Sequence, residues 1–292
     1  MNLEYLKRLS LRLRRGMGDR PGDRRFPGRP QAAGIEIEAH SAYVPGDDLR
    51  HLDWNAVGRL DTLLVRRFTA EREVVVHLLV DASASMAVPA RDGKLALARE
   101  LALALAYVAL GANDAVRIAV LPGDGATRVS PLLRQRGSLG RAAALLAAVA
   151  PGGRLELGAA LEVYAREHPR PGLAIVVSDL MMEPAEVERG VLALRARRYE
   201  VLLLHVIGAG ELDPGREFTR GVLTDVETGA TRPVVLTPAA RARYRELLAE
   251  HLGALAALAE RTRAVYARFA TEASVREFLS VELPRLGVLV RR

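Results

Sequence analysis

Cysteine is absent from the 292 residues. That excludes disulfide scaffolds, cysteine zinc sites, iron–sulfur clusters and thiol nucleophiles. Aromatic residues make up only 4%, a poor supply for stacking the bases of single-stranded nucleic acid. Lysine occurs twice, as Lys7 and Lys94, among 42 basic residues; with abundant alanine, this skew towards arginine says little about function. Long apolar runs are missing as well. The longest lie in 101–112 and 252–259, short of the ~18–20 residues that cross a bilayer. Basic residues punctuate the N-terminus from Lys7 onward, unlike the unbroken apolar stretch of a secretion signal. The expectation is a soluble, cytoplasmic protein. Three catalytic motifs are also lacking: no H-E-x-x-H, no G-x-x-x-x-G-K-[ST] and no G-x-S-x-G occurs.

What is present can bury a full core: half the residues are apolar and 26% are charged. Six of the seven net positive charges fall in residues 1–32, which hold nine basic and three acidic side chains. The rest of the chain is nearly neutral, which argues against a surface that tracks phosphates and against specific nucleic-acid binding. Residues 1–33 read as a basic arm and linker, rich in Gly, Pro and Arg after residue 16. Peripheral contact with a membrane surface is one use for such an arm. Leu3, Leu6, Leu9 and Leu13 form one stripe of an amphipathic helix; the plainer reading packs that stripe on the protein's own body.

Residues 34–72 open with a period-two pattern over Ile35–Ala39 and continue into the charged stretch Asp47, Asp48, Arg50, Asp53, Trp54. Charges so dense are not buried unpaired. They form either a partner surface or a charge-paired turn anchored in the core by Trp54. Residues 73–220 alternate apolar strands (74–80, 115–121, 173–177, 201–207) with helices (93–112, 138–149, 156–167, 184–198). Continuous apolar strands alternating with helices predict an α/β fold, a parallel sheet with helices on both faces. Residues 221–292 read as a hairpin around Glu227-Thr228-Gly229, one or two long helices over 238–269, and a short helix at 273–280. The hairpin and the Ile35–Ala39 strand are expected to pair in a small β-containing subdomain built from N- and C-terminal segments.

The strongest chemical signal is Asp81-Ala82-Ser83-Ala84-Ser85, directly after the first buried strand. A carboxylate and two hydroxyls on alternate residues converge there, and oxygen-only ligands suit Mg²⁺ or Mn²⁺. Asp179 ends a later strand and reaches the same point if the two strands are neighbours. The plainer alternative is a turn in which Ser and Asp cap the next helix.

D-x-S-x-S after a buried strand resembles the first element of the metal-ion-dependent adhesion site of von Willebrand factor A domains. Tyr43-x-Pro45-Gly46-Asp47-Asp48-x-Arg50-x-x-Asp53-Trp54, then Arg66 to Phe68, Glu71-Arg72, Ser178-Asp179-Leu180 and His205-Val206, resembles the signature of the domain of unknown function 58 family. The resemblance covers roughly residues 34–285 and implies a von Willebrand A-like, Rossmann-like sheet. It also implies a cation held by Asp81, Ser83, Ser85 and Asp179, with one position left for a partner's acidic side chain. The second loop of that motif brings a threonine; here Arg154 or Leu155 stands in its place. Either the neighbouring Glu156 replaces the hydroxyl, or Arg154 occupies a metal-poor site.

The function implied is a non-enzymatic interaction module that works with a MoxR-type AAA+ ATPase on a client protein. The alternative from the residues alone is a Mg²⁺-dependent hydrolase or phosphotransfer enzyme using Asp81 and Asp179. It lacks a recognisable general base.

Overall fold

The structure is a computed structural model. It describes residues 4–11, 35–45, 49, 52–60, 62–70, 74–214 and 219–291. The chain forms two compact units, one made of residues 1–16 and 74–292, the other of residues 17–73.

In the larger unit, Leu9–Leu11 (β1) follows a short 3-10 turn at Glu4–Arg8. In the smaller unit lie Ile35–Ala42 (β2), Trp54–Leu60 (α1) and Leu64–Ala70 (β3). Here β2 pairs antiparallel with β3. Asp53 starts α1: its Oδ1 accepts from the backbone N–H groups of Asn55 at 3.1 Å and Ala56 at 3.3 Å, satisfying helix-start donors that otherwise lack partners.

The larger unit is built on Val75–Ala82 (β4), Lys94–Gly111 (α2), Ala115–Pro122 (β5) and Arg128–Val129 (β6). It continues with Leu139–Ala148 (α3), Leu157–Glu167 (α4), Leu173–Ser178 (β7), Pro184–Ala196 (α5), Glu200–Ile207 (β8) and Ala209–Leu212 (α6). Then come Arg220–Thr224 (β9), Thr231–Val235 (β10), Pro238–Thr262 (α7), Val265–Ala270 (β11) and Leu289–Arg291 (β12). Six strands form one sheet in the order β11-β8-β7-β4-β5-β6, parallel except for β6. Among the described residues no helix is long and apolar enough to cross a membrane.

Period-two alternation decides which side chain enters which layer. Val76, Leu78 and Val80 of β4 join the core under α2 and α3, while Leu79 joins the core under α4, α5 and α7. The expected parallel sheet covered on both faces is what forms. Helix α2 is apolar nearly all round because its outer side is also covered: Leu6 and Leu9 of the N-terminal segment and Leu289 of β12 belong to the same core, and β1 pairs antiparallel with β12. The Leu stripe thus packs on the protein's own body through Leu6 and Leu9, as a 3-10 turn and a strand instead of a helix. Leu3 and Leu13 lie outside the described residues.

Three expectations are corrected. Ile35–Ala42 pairs with Leu64–Ala70, and the 221–237 hairpin pairs within itself as β9–β10. The terminal segments that pair with each other are β1 and β12. Residues 238–269 are not all helical either. Arg263, with φ of 57°, ends α7 in a left-handed cap, and Val265–Ala270 becomes the edge strand β11 beside β8. Trp54 is no core anchor, being 70% exposed.

Candidate functional site

Strands β4 and β7 are neighbours, with Val80 opposite Val177. That register brings Asp81 and Ser178-Asp179 together at the carboxyl edge, where ligands bind to open parallel sheets. Asp81 is wholly buried and both its oxygens are engaged. Oδ1 accepts from the Ser83 backbone N–H at 2.8 Å, and Oδ2 from the Ser178 hydroxyl at 2.6 Å. Burial, and then the nearby Asp179 charge, push the Asp81 carboxyl above its ordinary range. The hydroxyls of Ser83 and Ser85 share a hydrogen bond of 2.9 Å.

The second loop is held over this edge by its backbone. The N–H of Gly152 donates to the Ala82 carbonyl at 3.1 Å, and the N–H of Ala84 donates to the Gly153 carbonyl at 2.9 Å. Gly153 lies at φ of 65°, and a Cβ there would fall 2.5 Å from the Gly123 carbonyl carbon. Only glycine meets both demands. Beyond it, Leu155 is buried in the core with α4 and α5. The Arg154 side chain is 68% exposed and pairs with Glu227 of the β9–β10 turn at 3.6 Å. Glu156 is exposed. The loop therefore brings no hydroxyl to the edge.

Two residues of the site were not singled out by sequence reasoning. The ammonium of Lys94, the first residue of α2, donates to Asp179 Oδ2 at 2.8 Å and to Glu211 Oε1. Glu211 Oε2 accepts from the Gly208 backbone N–H at 2.7 Å. Burial on its own lowers the Lys94 pKa, but the carboxylates of Asp179 and Glu211 outweigh it and raise the pKa, so the ammonium stays charged. Burial raises Glu211, offset only in part by Lys94. Residues 92–94 are tied to the same loop, since Asp92 Oδ2 accepts from the Gly210 N–H at 3.0 Å. The one sequence signal for Lys94 was its rarity.

Above these groups opens a cleft of about 460 Å³. Ser85 and Asp179 border it, as do Arg154, Met181, Leu247 and His251. His251 reaches over from α7, its Nε2 donating to the Leu180 carbonyl at 2.9 Å. Leu180 itself is buried and held at φ of 48°, a conformation that β-carbon sterics disfavour.

A resident Mg²⁺ or Mn²⁺ of the adhesion type needs a shell of free oxygen donors. Asp81 has both oxygens engaged, the second loop supplies none, Glu156 stays outside the cleft lining, and Asp179 is neutralised by Lys94. Among the described residues no cluster of three or more His, Asp or Glu is arranged to hold a metal ion. The residues present do not fit the complete shell that the motif implies. Of the charged segment before the sheet, Asp53 caps α1 and Trp54 is exposed; Asp47, Asp48 and Arg50 lie outside the described residues.

Fold and edge together define an α/β domain with an Asp-x-Ser-x-Ser loop at the carboxyl end of its central strand. The chain belongs to the family described as protein of unknown function DUF58, whose model matches residues 40–253. An uncharacterized protein of Mycobacterium tuberculosis is 29% identical over 221 residues, 75% of this chain and 69% of its own length. Among solved structures, the conserved hypothetical protein BatB from Bacteroides thetaiotaomicron is similar with a TM-score of 0.47 and 18% identity, covering 73% of this chain and 98% of that one. The SpRpn10 VWA domain is similar with a TM-score of 0.38 and 12% identity, covering 70% and 92%. These likenesses are distant, and the fold assignment rests on the sheet itself.

Proposed function

We propose that this chain is a non-enzymatic protein-interaction module that docks a partner at the carboxyl edge of its sheet. The partner is a MoxR-type AAA+ ATPase, and the pair acts in assembling or remodelling a client protein complex. The observation that carries the reading is the cleft over Ser85 and Asp179. Its walls combine exposed apolar side chains, Met181 at 41% and Leu247 at 47%, with a charged rim. Exposed apolar surface beside fixed charge is what a docking face needs. Glu183, Glu186 and Glu227 outnumber Arg154 along it, so the segment that fits is apolar with basic flanks. The adhesion-type residues Asp81, Ser83, Ser85 and Asp179 serve this edge by shaping its loops.

The test is capture of a purified MoxR-type ATPase by wild-type protein and by Met181→Asp and Leu247→Asp. Binding by wild type that falls at least tenfold in both variants, with unchanged melting, is the expected result. No binding and no change in ATPase rate with wild type overturns the adaptor role. Capture unaffected by either variant moves the docking face away from the cleft.

A further inference from the structure

The donors at the carboxyl edge do not complete a divalent-cation shell, yet the edge does hold a cation. We propose that the Lys94 ammonium is the resident cation of this site, neutralising Asp179 and Glu211 in place of a metal ion. The inference rests on the geometry of the edge and does not depend on the docking reading.

Four observations carry it. The ammonium contacts carboxylates from two different loops, the one after β7 and the one after β8, and its side chain is 1% exposed. Bridging two carboxylates from separate loops is the work a divalent cation does in an oxygen site. Second, Lys94 sits in the first turn of α2, where the helix dipole disfavours a positive charge. Its position is therefore not explained by helix stability. Third, arginine supplies 40 of the 42 Lys and Arg residues, yet this position is lysine. A guanidinium is a planar fork matched to one carboxylate face; an ammonium is a compact point charge with three donors that converge on separate acceptors. Fourth, the second loop turns Leu155 into the core and Arg154 outward to Glu227, so that neither Arg154 nor Leu155 brings a hydroxyl to the edge, a loss that costs nothing if the cation is covalently part of the chain.

A cation on a side chain cannot dissociate. The loops that carry Asp179 and Glu211 are therefore held together at all metal concentrations, and the edge is formed whether or not Mg²⁺ is present.

The experiment is thermal unfolding of the full chain in EDTA, in MgCl₂ and in MnCl₂, for wild type, Lys94→Met and the double variant Lys94→Met/Glu211→Gln. Wild type is expected to melt at the same temperature in all three solutions. Lys94→Met strands two carboxylates in the interior, so its Tm in EDTA should fall by roughly 6–20 °C. Mn²⁺ or Mg²⁺ should recover part of that loss, because a metal that binds the native state stabilises it by mass action. The double variant, with one stranded charge removed, should melt above Lys94→Met in EDTA. If Lys94→Met does not fold, the double variant and wild type still decide the matter.

A wild-type Tm raised by several degrees in Mg²⁺ or Mn²⁺, and not raised in Ser85→Ala, overturns the proposal, because the resident cation is then a metal. Lys94→Met melting in EDTA at the wild-type temperature overturns it equally. Neither arm requires a partner, so failure here is distinct from failure of the docking reading.

Discussion

Lys94 Nζ donates to Asp179 Oδ2 across 2.8 Å, with both side chains 1% exposed and 85 positions apart in the chain. One residue begins α2, and the other directly follows β7. Their meeting fixes the loop after β7, which also carries strained Leu180 and exposed Met181.

Removing one side of that pair should be costly. Asp179→Asn leaves the ammonium with only Glu211, and the loss should reach about 3 kcal/mol, the low end for a broken buried ion pair. Urea unfolding of the full chain measures it. A change within about 0.5 kcal/mol, the range of neutral surface substitutions, would mean the pair holds nothing.

The pH dependence of stability should be set largely by two buried histidines. His205 Nδ1 meets the Tyr266 hydroxyl at 2.7 Å and His77 Nδ1 meets that of Tyr164 at 2.7 Å, while His205 Nε2 is buried with no hydrogen-bond partner among the described residues. Burial lowers His205 to about 4 and His77 to about 3. A depressed folded value means the unfolded chain takes the proton first, so stability present above about pH 6.5 is lost as pH falls towards those values. For His205 the loss is on the order of 3 kcal/mol by pH 4. Asp81 and Glu211 are raised and act in the opposite sense, their native forms gaining as they protonate. Unfolding free energies between pH 7 and 4 should therefore fall less steeply in His205→Gln than in wild type. Identical slopes would contradict the assignment.

Gly153→Ala should destabilise by at least about 2 kcal/mol, combining a disfavoured left-handed alanine with a Cβ pressed on the Gly123 backbone. Chemical denaturation gives the number. A variant as stable as wild type would mean the second loop lifts freely from the sheet edge.

Asp53 and Trp54 should separate structure from docking. Asp53→Ala removes the cap of α1 and should cost about 1 kcal/mol, seen as faster amide exchange over residues 54–60. Trp54 is the sole tryptophan and is 70% exposed, so its replacement by Ala should leave stability within about 0.5 kcal/mol. If this segment contacts the partner, Trp54 emission shifts to the blue on addition of the ATPase. Unchanged emission at saturating partner would remove the segment from the docking face.

Much of the molecule follows from sequence alone. Short apolar runs such as Val201–Ile207, interrupted only by His205, read as strands covered on both faces, and long ones such as 94–111 read as largely buried helices. Alternating strands and helices leave little choice besides a parallel sheet, and Asp81 and Asp179 then fall at its carboxyl edge by order alone. Strand β11 was also legible in Val265-Tyr-Ala-Arg-Phe-Ala, whose buried Ala267 and Phe269 repeat with period two, but the long helical pattern before it masked the change of period. Periodicity reports which face of a segment is buried and is silent on its neighbour. It therefore did not tell that β2 would pair with β3, or that β1 would close on β12 across the length of the chain. Lys94 and Glu211 lie 117 positions apart and belong to no common motif. Their meeting depends on β8 being laid two strands from β4, and that order exists only once the sheet has formed. Asp81 and Asp179 were thus legible in local sequence, whereas Glu211 and the Lys94 ammonium that joins it to Asp179 were decided by tertiary structure, because charge pairing between loops is a property of which strands become neighbours.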